Sequence, residues 1–560
     1  MNRFKKGIFS FMFLLFANGL MAQSVEEGKQ FIYYERYQSA KEVLEKVVAS
    51  SPSNDEAAYY LGQAEIGLEN VPAARAVYLK ALQTTPNSAL LIAGMGHVEL
   101  LEGKTADARN RFETAISLSK GKSIPVLNAI GLANANPDSK NGDANYAIAK
   151  LKQATEIKGF KDPEVLTNLG DAYRKIGDGG NAVQSYDAAL AINPNYARAL
   201  YRKGKVYQTQ GATQEDLFMS LYNSAISKDP AYAPTYANLY AYFYSTNVPR
   251  SADYLNKWLQ NSDDDPKACY YRASMKYAQG LFNDAIKTAD DCIKSEGSNP
   301  YPNLYGIKAL AYNRIGESLE TKDSTEKKEM YMNAKNSYQE YFRRQSTDNI
   351  KSGDYAAYAT ILLKFPGQEV EAANMMNKAI TMDGEENDRV SYVKSMAKAF
   401  EDQNNSYEAA VWYGKVMGIK KGFTNVDLFN AGYNFYVANA MDSSNRYFTI
   451  YTDMYPNDIL GYYMLGNAYS VIDSTGELGL AVPYYNKVIE IGESDTTKPN
   501  VKTRLINAYK YFVGYNFNVK KDSEAALMYV DKGLAFAPTD EQLLYFKEFI
   551  TKNKSKASQK

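Results

Sequence analysis

Leu169-Gly170-Asp171-Ala172-Tyr173, followed by Gly177, Ala182, Tyr186, Ala189 and Pro194, is the stretch whose reading decides the fold. The spacing of Ala182, Tyr186 and Ala189 puts three apolar side chains on one face of a helix. Gly170 belongs to the helix before it, where the missing side chain lets two helices cross closely. Pro194 ends the second helix, because proline lacks the N–H that the next turn needs.

The triplet recurs along the chain. Ala40, Ala74 and Ala108 stand 34 residues apart, and each is followed on the same face by Leu44 and Val47, Tyr78 and Ala81, or Phe112 and Ala115. Further copies begin at Ala147, Ala334, Ala372, Ala409 and Ala481. First-helix partners show in Leu61-Gly62, in Gly204 with Tyr207 and Gly211, in Gly432, and in Leu465-Gly466 with Tyr469. Closing prolines return at Pro52, Pro86, Pro230, Pro456 and Pro538. At 560 residues the chain exceeds one ordinary core, and a reused helical hairpin is how such a chain grows by addition.

A unit of this length, with Leu-Gly-x-x-Tyr, then Ala, then Tyr or Phe, then Pro, resembles the tetratricopeptide-repeat (TPR) family. The resemblance extends over residues 24–540 and implies an all-α, right-handed superhelical α-solenoid of about 13 to 14 TPR-like helical hairpins. Residues 24–230 read as an N-terminal TPR array, 231–424 as divergent hairpins with insertions, and 425–551 as a C-terminal array with a capping helix. Residues 552–560 read as a disordered tail. Insertions at 137–143, 320–328 and 473–477 read as loops on one edge of the solenoid.

Before the first repeat, Arg3, Lys5 and Lys6 precede an apolar run over residues 7–20, and Met21-Ala22-Gln23 offers a small residue for cleavage after Ala22. Residues 1–22 therefore read as a secretory signal peptide, too short in its apolar part to span a bilayer. The expected mature protein is periplasmic, begins at Gln23 and has no transmembrane segment. Losing those three cations from 64, against 64 acidic residues, leaves it slightly acidic, which gives nucleic acid no footprint.

Catalytic chemistry finds few residues to use. His97 is the sole histidine, so a two-histidine zinc motif is excluded, and its place beside Gly96 reads as an ordinary groove or interface position. Gly103-Lys104-Thr105 has the end of a phosphate-binding loop, but Val98 stands where the first glycine belongs, so it reads as a turn. Asp263-Asp264-Asp265 lacks calcium-loop spacing and reads as a solvated turn. No catalytic residue, cofactor or metal site is assigned. Cys269 and Cys292 fall early and late in one hairpin, where an oxidising compartment would permit a disulfide, but their offset by about a turn favours two buried, unpaired small hydrophobes. Asp323-Ser324-Thr325, Asp473-Ser474-Thr475 and Asp495-Thr496-Thr497 have the form of O-glycosylation acceptors in loops.

The expected function is that of a non-enzymatic scaffold or adaptor holding protein partners of an envelope, secretion or transport machine. The alternative is a glycan- or peptide-binding protein whose groove is lined by first-helix tyrosines such as Tyr201, Tyr236, Tyr240, Tyr271, Tyr355 and Tyr462, drawn from 48 tyrosines in all. The resemblance further implies a partner-binding spot at Asn168, Arg198 and Arg202, with Tyr201 between the arginines. In TPR domains that capture a terminal carboxylate, an asparagine before Leu-Gly works with two basic residues four apart on the next first helix. Here the preceding repeat offers Asn128 and Leu132 where such domains add a lysine and an asparagine.

Overall fold

The computed structural model describes residues 25–136, 139–320, 325–497 and 500–557, and among these every regular element is a helix. The signal segment, its cleavage point, and Asp323 and Ser324 lie outside the described residues.

The hairpin of Pro163–Lys175 and Gly179–Ile192 shows how the sequence builds its unit. Asp162 Oδ1 accepts from the backbone N–H of Glu164 at 2.9 Å, and Pro163 takes the first helical position, where no N–H is required. The chain turns at Gly177, whose φ of +79° suits glycine, and Asp178 caps the second helix by accepting from Asn181 N at 3.0 Å. Ala182, Tyr186 and Ala189 are fully buried. A Cβ on Gly170 would overlap the Tyr186 ring, so the glycine is a condition of the crossing. Gly62 with Tyr78, Gly204 with Tyr222 and Gly466 with Tyr485 repeat the arrangement.

The aromatic of the triplet also settles a polar residue on the first helix. Tyr186 donates to Asp171 Oδ1 at 2.8 Å, Tyr485 donates to Asn467 Oδ1 at 2.8 Å, and Gln63 donates to the Tyr78 hydroxyl at 2.8 Å. In each case the partner directly follows the crossing glycine. A hydroxyl at the end of a large apolar ring fills the core and satisfies a polar group that a phenylalanine would leave alone, which accounts for tyrosine at these positions.

Successive hairpins pack as a solenoid of antiparallel helices, as expected, and form two compact units that divide between Leu304 and Tyr305. That break falls inside the stretch 231–424 set apart by motif divergence, because motif decay follows single positions whereas compactness follows helix packing. Gly103, with φ +79°, is the turn between Ala89–Leu101 and Thr105–Leu118.

Three expectations need correction. Cys269 and Cys292 form a disulfide, with Cα atoms 6.0 Å apart, inside the range a bridge spans without moving the backbone; the offset of about a turn is absorbed by the antiparallel pairing of Pro266–Ala278 with Phe282–Glu296. The last helix runs Glu541–Ala557 and so continues past 552. Asp263 is not a solvated turn residue: it accepts from Arg36 Nε at 3.1 Å, from Ser39 N at 3.0 Å and from the Ser39 hydroxyl.

Candidate binding site on the N-terminal array

The Asp263 contacts join residues 227 positions apart and bring the first hairpin back across the array's inner wall. The helix at 25–33 ends in Tyr33, whose ring lies 5.3 Å from that of Tyr196 and 5.2 Å from that of Tyr232. Between this lid and the wall lies a cavity of about 1090 Å³. Glu69 and Asn195 on its lining are exposed, so the cavity opens to solvent.

The wall carries the expected residues. Asn168 and Arg198 come together: Asn168 Nδ2 donates to Asn128 Oδ1 at 2.8 Å, and Arg198 Nη2 donates to Asn168 Oδ1 at 2.8 Å. Arg198 and Arg202 each approach Asp171 Oδ2 at 3.5 Å. The anion between the two guanidinium groups is thus the chain's own Asp171, from the motif that marks the repeat. Burial alone would push the Asp171 carboxyl up, but Arg202, Arg198 and the Tyr186 hydroxyl outweigh it and hold it below its usual value. Glu35 faces the same arginines from the lid. Protein around it removes bulk solvent and pushes its carboxyl up, against the pull of Arg202 and Arg198. Leu132 also lines the cavity, without a polar group to offer.

Tyr201 packs behind the lining, 6.0 Å from Tyr222 and 5.9 Å from Tyr232. Tyr236 and Tyr355 are buried, and Tyr240 and Tyr271 pack round Trp258. The tyrosines that do line the cavity include Tyr33, Tyr59, Tyr60, Tyr196 and Tyr232. Tyr196 and Tyr232 are N-cap residues, each two positions after a closing proline, in Pro194-Asn195-Tyr196 and Pro230-Ala231-Tyr232. That Pro-x-Tyr spacing was the available signal, because the N-cap is where a chain entering a first helix meets the inner wall.

His97 also lines the cavity and is only 2% exposed. Its Nε2 lies 3.3 Å from Asn136 Nδ2, and Nδ1 has no partner. Burial lowers its pKa to about 4, so the ring is neutral at neutral pH. Among the described residues no group of acidic, cysteine or histidine side chains could hold a metal ion.

A family model described as tetratricopeptide repeat matches residues 25–89, and one described as TPR repeat matches residues 170–211. The chain is a tetratricopeptide-repeat protein. The second match spans the Arg198–Asp171 pair and the first spans the lid, so TPR elements form both sides of the cavity. Over 184 residues the TPR chain is 25% identical to the cellulose synthase 1 operon protein C of Komagataeibacter xylinus, covering 33% of this chain and 13% of that relative. Among solved structures, the C-terminal part of a TPR repeat-containing protein from Cytophaga hutchinsonii is 22% identical at TM-score 0.35, covering 50% of this chain and 98% of that one. A tetratricopeptide repeat protein from Parabacteroides merdae is 17% identical at TM-score 0.36, covering 48% and 98%. TPR arrays present their inner surfaces to other proteins and generally serve as non-enzymatic scaffolds. Among the described residues no helix is long and apolar enough to cross a membrane.

Proposed function

We propose that this TPR protein is an exported, periplasmic scaffold that holds protein partners of an envelope-associated assembly, and that it does no catalysis. The observation that carries the reading is the solvent-open inner cavity of an array built from TPR hairpins, lined by side chains suited to recognition. The basic start and apolar run of residues 1–22 support export, and the operon named for the K. xylinus relative is in keeping with envelope work. Partner contact is assigned to the wall around Asn168, Arg198 and Arg202, with Tyr201 behind it. A partner's carboxylate would have to displace Asp171 there.

The test is reversible cross-linking of the native protein in cells, isolation from the periplasmic fraction, and identification of the linked partners and of the mature N-terminus. A start at Gln23 and a reproducible set of envelope proteins is the expected result. Recovery of residues 1–22 on a cytoplasmic form, or of no partner, would overturn the reading. A second reading, binding of a glycan or peptide ligand, is favoured by the tyrosine lining; it would show as direct binding of such ligands by the purified chain.

A further inference from the structure

The cavity wall is lined by Lys29, Arg198 and Arg202 against eight carboxylates. All three cations are already committed. Lys29 Nζ lies 3.0 Å from Glu26 and 3.4 Å from Glu56, and both arginines hold Asp171. Glu35, Glu69 and Glu164 line the cavity with no direct ion pair among the described residues. The surplus charge of the site is therefore negative, the reverse of a carboxylate clamp.

The acid groups and the rings are arranged together. Glu164, Glu56, Asp162 and Glu26 all act on the Tyr60 hydroxyl, which burial first and then these charges push up. Lys29 Nζ sits 5.4 Å from the centre of the Tyr60 ring, so the chain itself places an ammonium group on this surface. An ammonium or guanidinium group held over a tyrosine face and beside a carboxylate gains from both at once. His97 also lines the cavity, and its Nδ1 is buried and unpartnered. With Asn136 donating to Nε2, the proton of the neutral ring sits on Nδ1.

We propose that this cavity takes a lysine- or arginine-bearing segment of a partner protein, its cationic side chains received by the tyrosine faces and by Glu35 and Glu164. The inference deepens the scaffold reading and rests on it. A neutral glycan could use the rings but would leave the carboxylates without a counter-charge, and an acidic tail would meet like charge.

The probe is a fluorescein-labelled tetralysine amide, titrated by anisotropy with the mature full-length chain, beside tetraglutamate and cellohexaose. Tetralysine should bind, more weakly as salt rises. The double variant Glu35→Gln/Glu164→Gln should bind it about tenfold or more weakly, the scale of a lost charged hydrogen bond, with helicity unchanged. Glu386→Gln/Glu541→Gln, exposed and outside the cavity, should bind it as the parent does. Equal losses in both double variants, no binding of tetralysine, or preference for tetraglutamate or cellohexaose would overturn the proposal. If the cavity variant recovers the parent's full partner set from the envelope, this inference fails and the scaffold stands; if the parent recovers no partner, the scaffold reading itself fails.

Discussion

In the hairpin of Pro163–Lys175 and Gly179–Ile192 the helices cross where Gly170 leaves room for the Tyr186 ring, and the ring's hydroxyl settles Asp171. In the hairpin of Pro266–Ala278 and Phe282–Glu296 the same register holds Ala273 and Ala289, both fully buried, and a disulfide joins Cys269 to Cys292. The first hairpin concentrates its contact in one large ring against an absent side chain. The second shares the volume between two methyl groups and gives up the ring's area and its hydroxyl. Ser274, at the position of Asp171, pairs instead with the Tyr244 hydroxyl at 2.7 Å, in the neighbouring hairpin. A repeat can thus lose its most recognisable pair and keep its geometry, provided something else restrains the crossing.

The largest expected effect breaks that restraint. Replacing both Cys269 and Cys292 with alanine frees a segment with ends 23 residues apart in sequence, and the loss should be about 3 kcal/mol for a loop of this size. Hydrogen exchange over residues 266–296 should rise, while exchange over 163–192 stays close to that of the parent. Equal protection in the variant would mean that Ala273 and Ala289 hold the crossing unaided.

The next effect tests the other hairpin. Gly170→Ala forces the Tyr186 ring from its place and should cost about 2 to 3 kcal/mol by overpacking. Gly306 offers the control, since a Cβ there would meet Tyr341 at an ordinary 3.6 Å. Gly306→Ala should be neutral or stabilise by up to about 1 kcal/mol through helix propensity. Urea denaturation of both variants gives the comparison, and similar midpoints would show that the close crossing carries no special weight.

These hairpins also mark what was legible in the sequence. Local features were: the crossing glycine, the triplet and the closing proline lie within one repeat, and each leaves a trace at fixed spacing. The closure of the N-terminal array was not, because Arg36 and Asp263 meet across 227 positions and neither belongs to the repeat pattern. Asn168, Arg198 and Arg202 were found by position, yet their charge balance was misjudged. Asp171 stood in the quoted motif, but its direction depends on the Tyr186 hydroxyl one helix away. The tyrosine lining was sought at Tyr201, Tyr236, Tyr240 and Tyr271, whose rings pack against neighbours, and comes instead from Tyr33, Tyr59 and Tyr60 on other first helices and from the N-caps Tyr196 and Tyr232.

A smaller effect belongs to His97, next to the crossing glycine Gly96. Its pKa is lowered from 6.5 to about 4 by burial, so between those values the unfolded chain binds the proton and the folded one does not. Stability should therefore fall as pH drops through 6.5 towards 4, by about 1 to 2 kcal/mol between pH 6.5 and roughly pH 5. His97→Gln should flatten that part of the profile. Because His97 is the sole histidine, one imidazole resonance reports its titration directly, and a midpoint near the ordinary value would remove the basis for the effect.

The smallest prediction makes the His97 hairpin match its neighbours. In three hairpins the residue after the crossing glycine bonds a tyrosine hydroxyl at 2.8 Å: Gln63 with Tyr78, Asp171 with Tyr186, and Asn467 with Tyr485. In the hairpin of Ala89–Leu101 and Thr105–Leu118 the aromatic is Phe112, 1% exposed, and His97 Nδ1 is left without a partner. Phe112 meets Gly96 as those tyrosines meet their glycines, so its ring is already placed for the missing hydroxyl. Phe112→Tyr should supply it and stabilise the array by about 1 kcal/mol, the net value of one buried hydrogen bond. The His97 resonance should shift with it, since Nδ1 gains a partner. Destabilisation would show that no room exists for the hydroxyl, and an unmoved resonance would show that Nδ1 points elsewhere. Either result would confine the tyrosine rule to Tyr78, Tyr186 and Tyr485 and make the orphaned nitrogen a property of the cavity, not of the repeat.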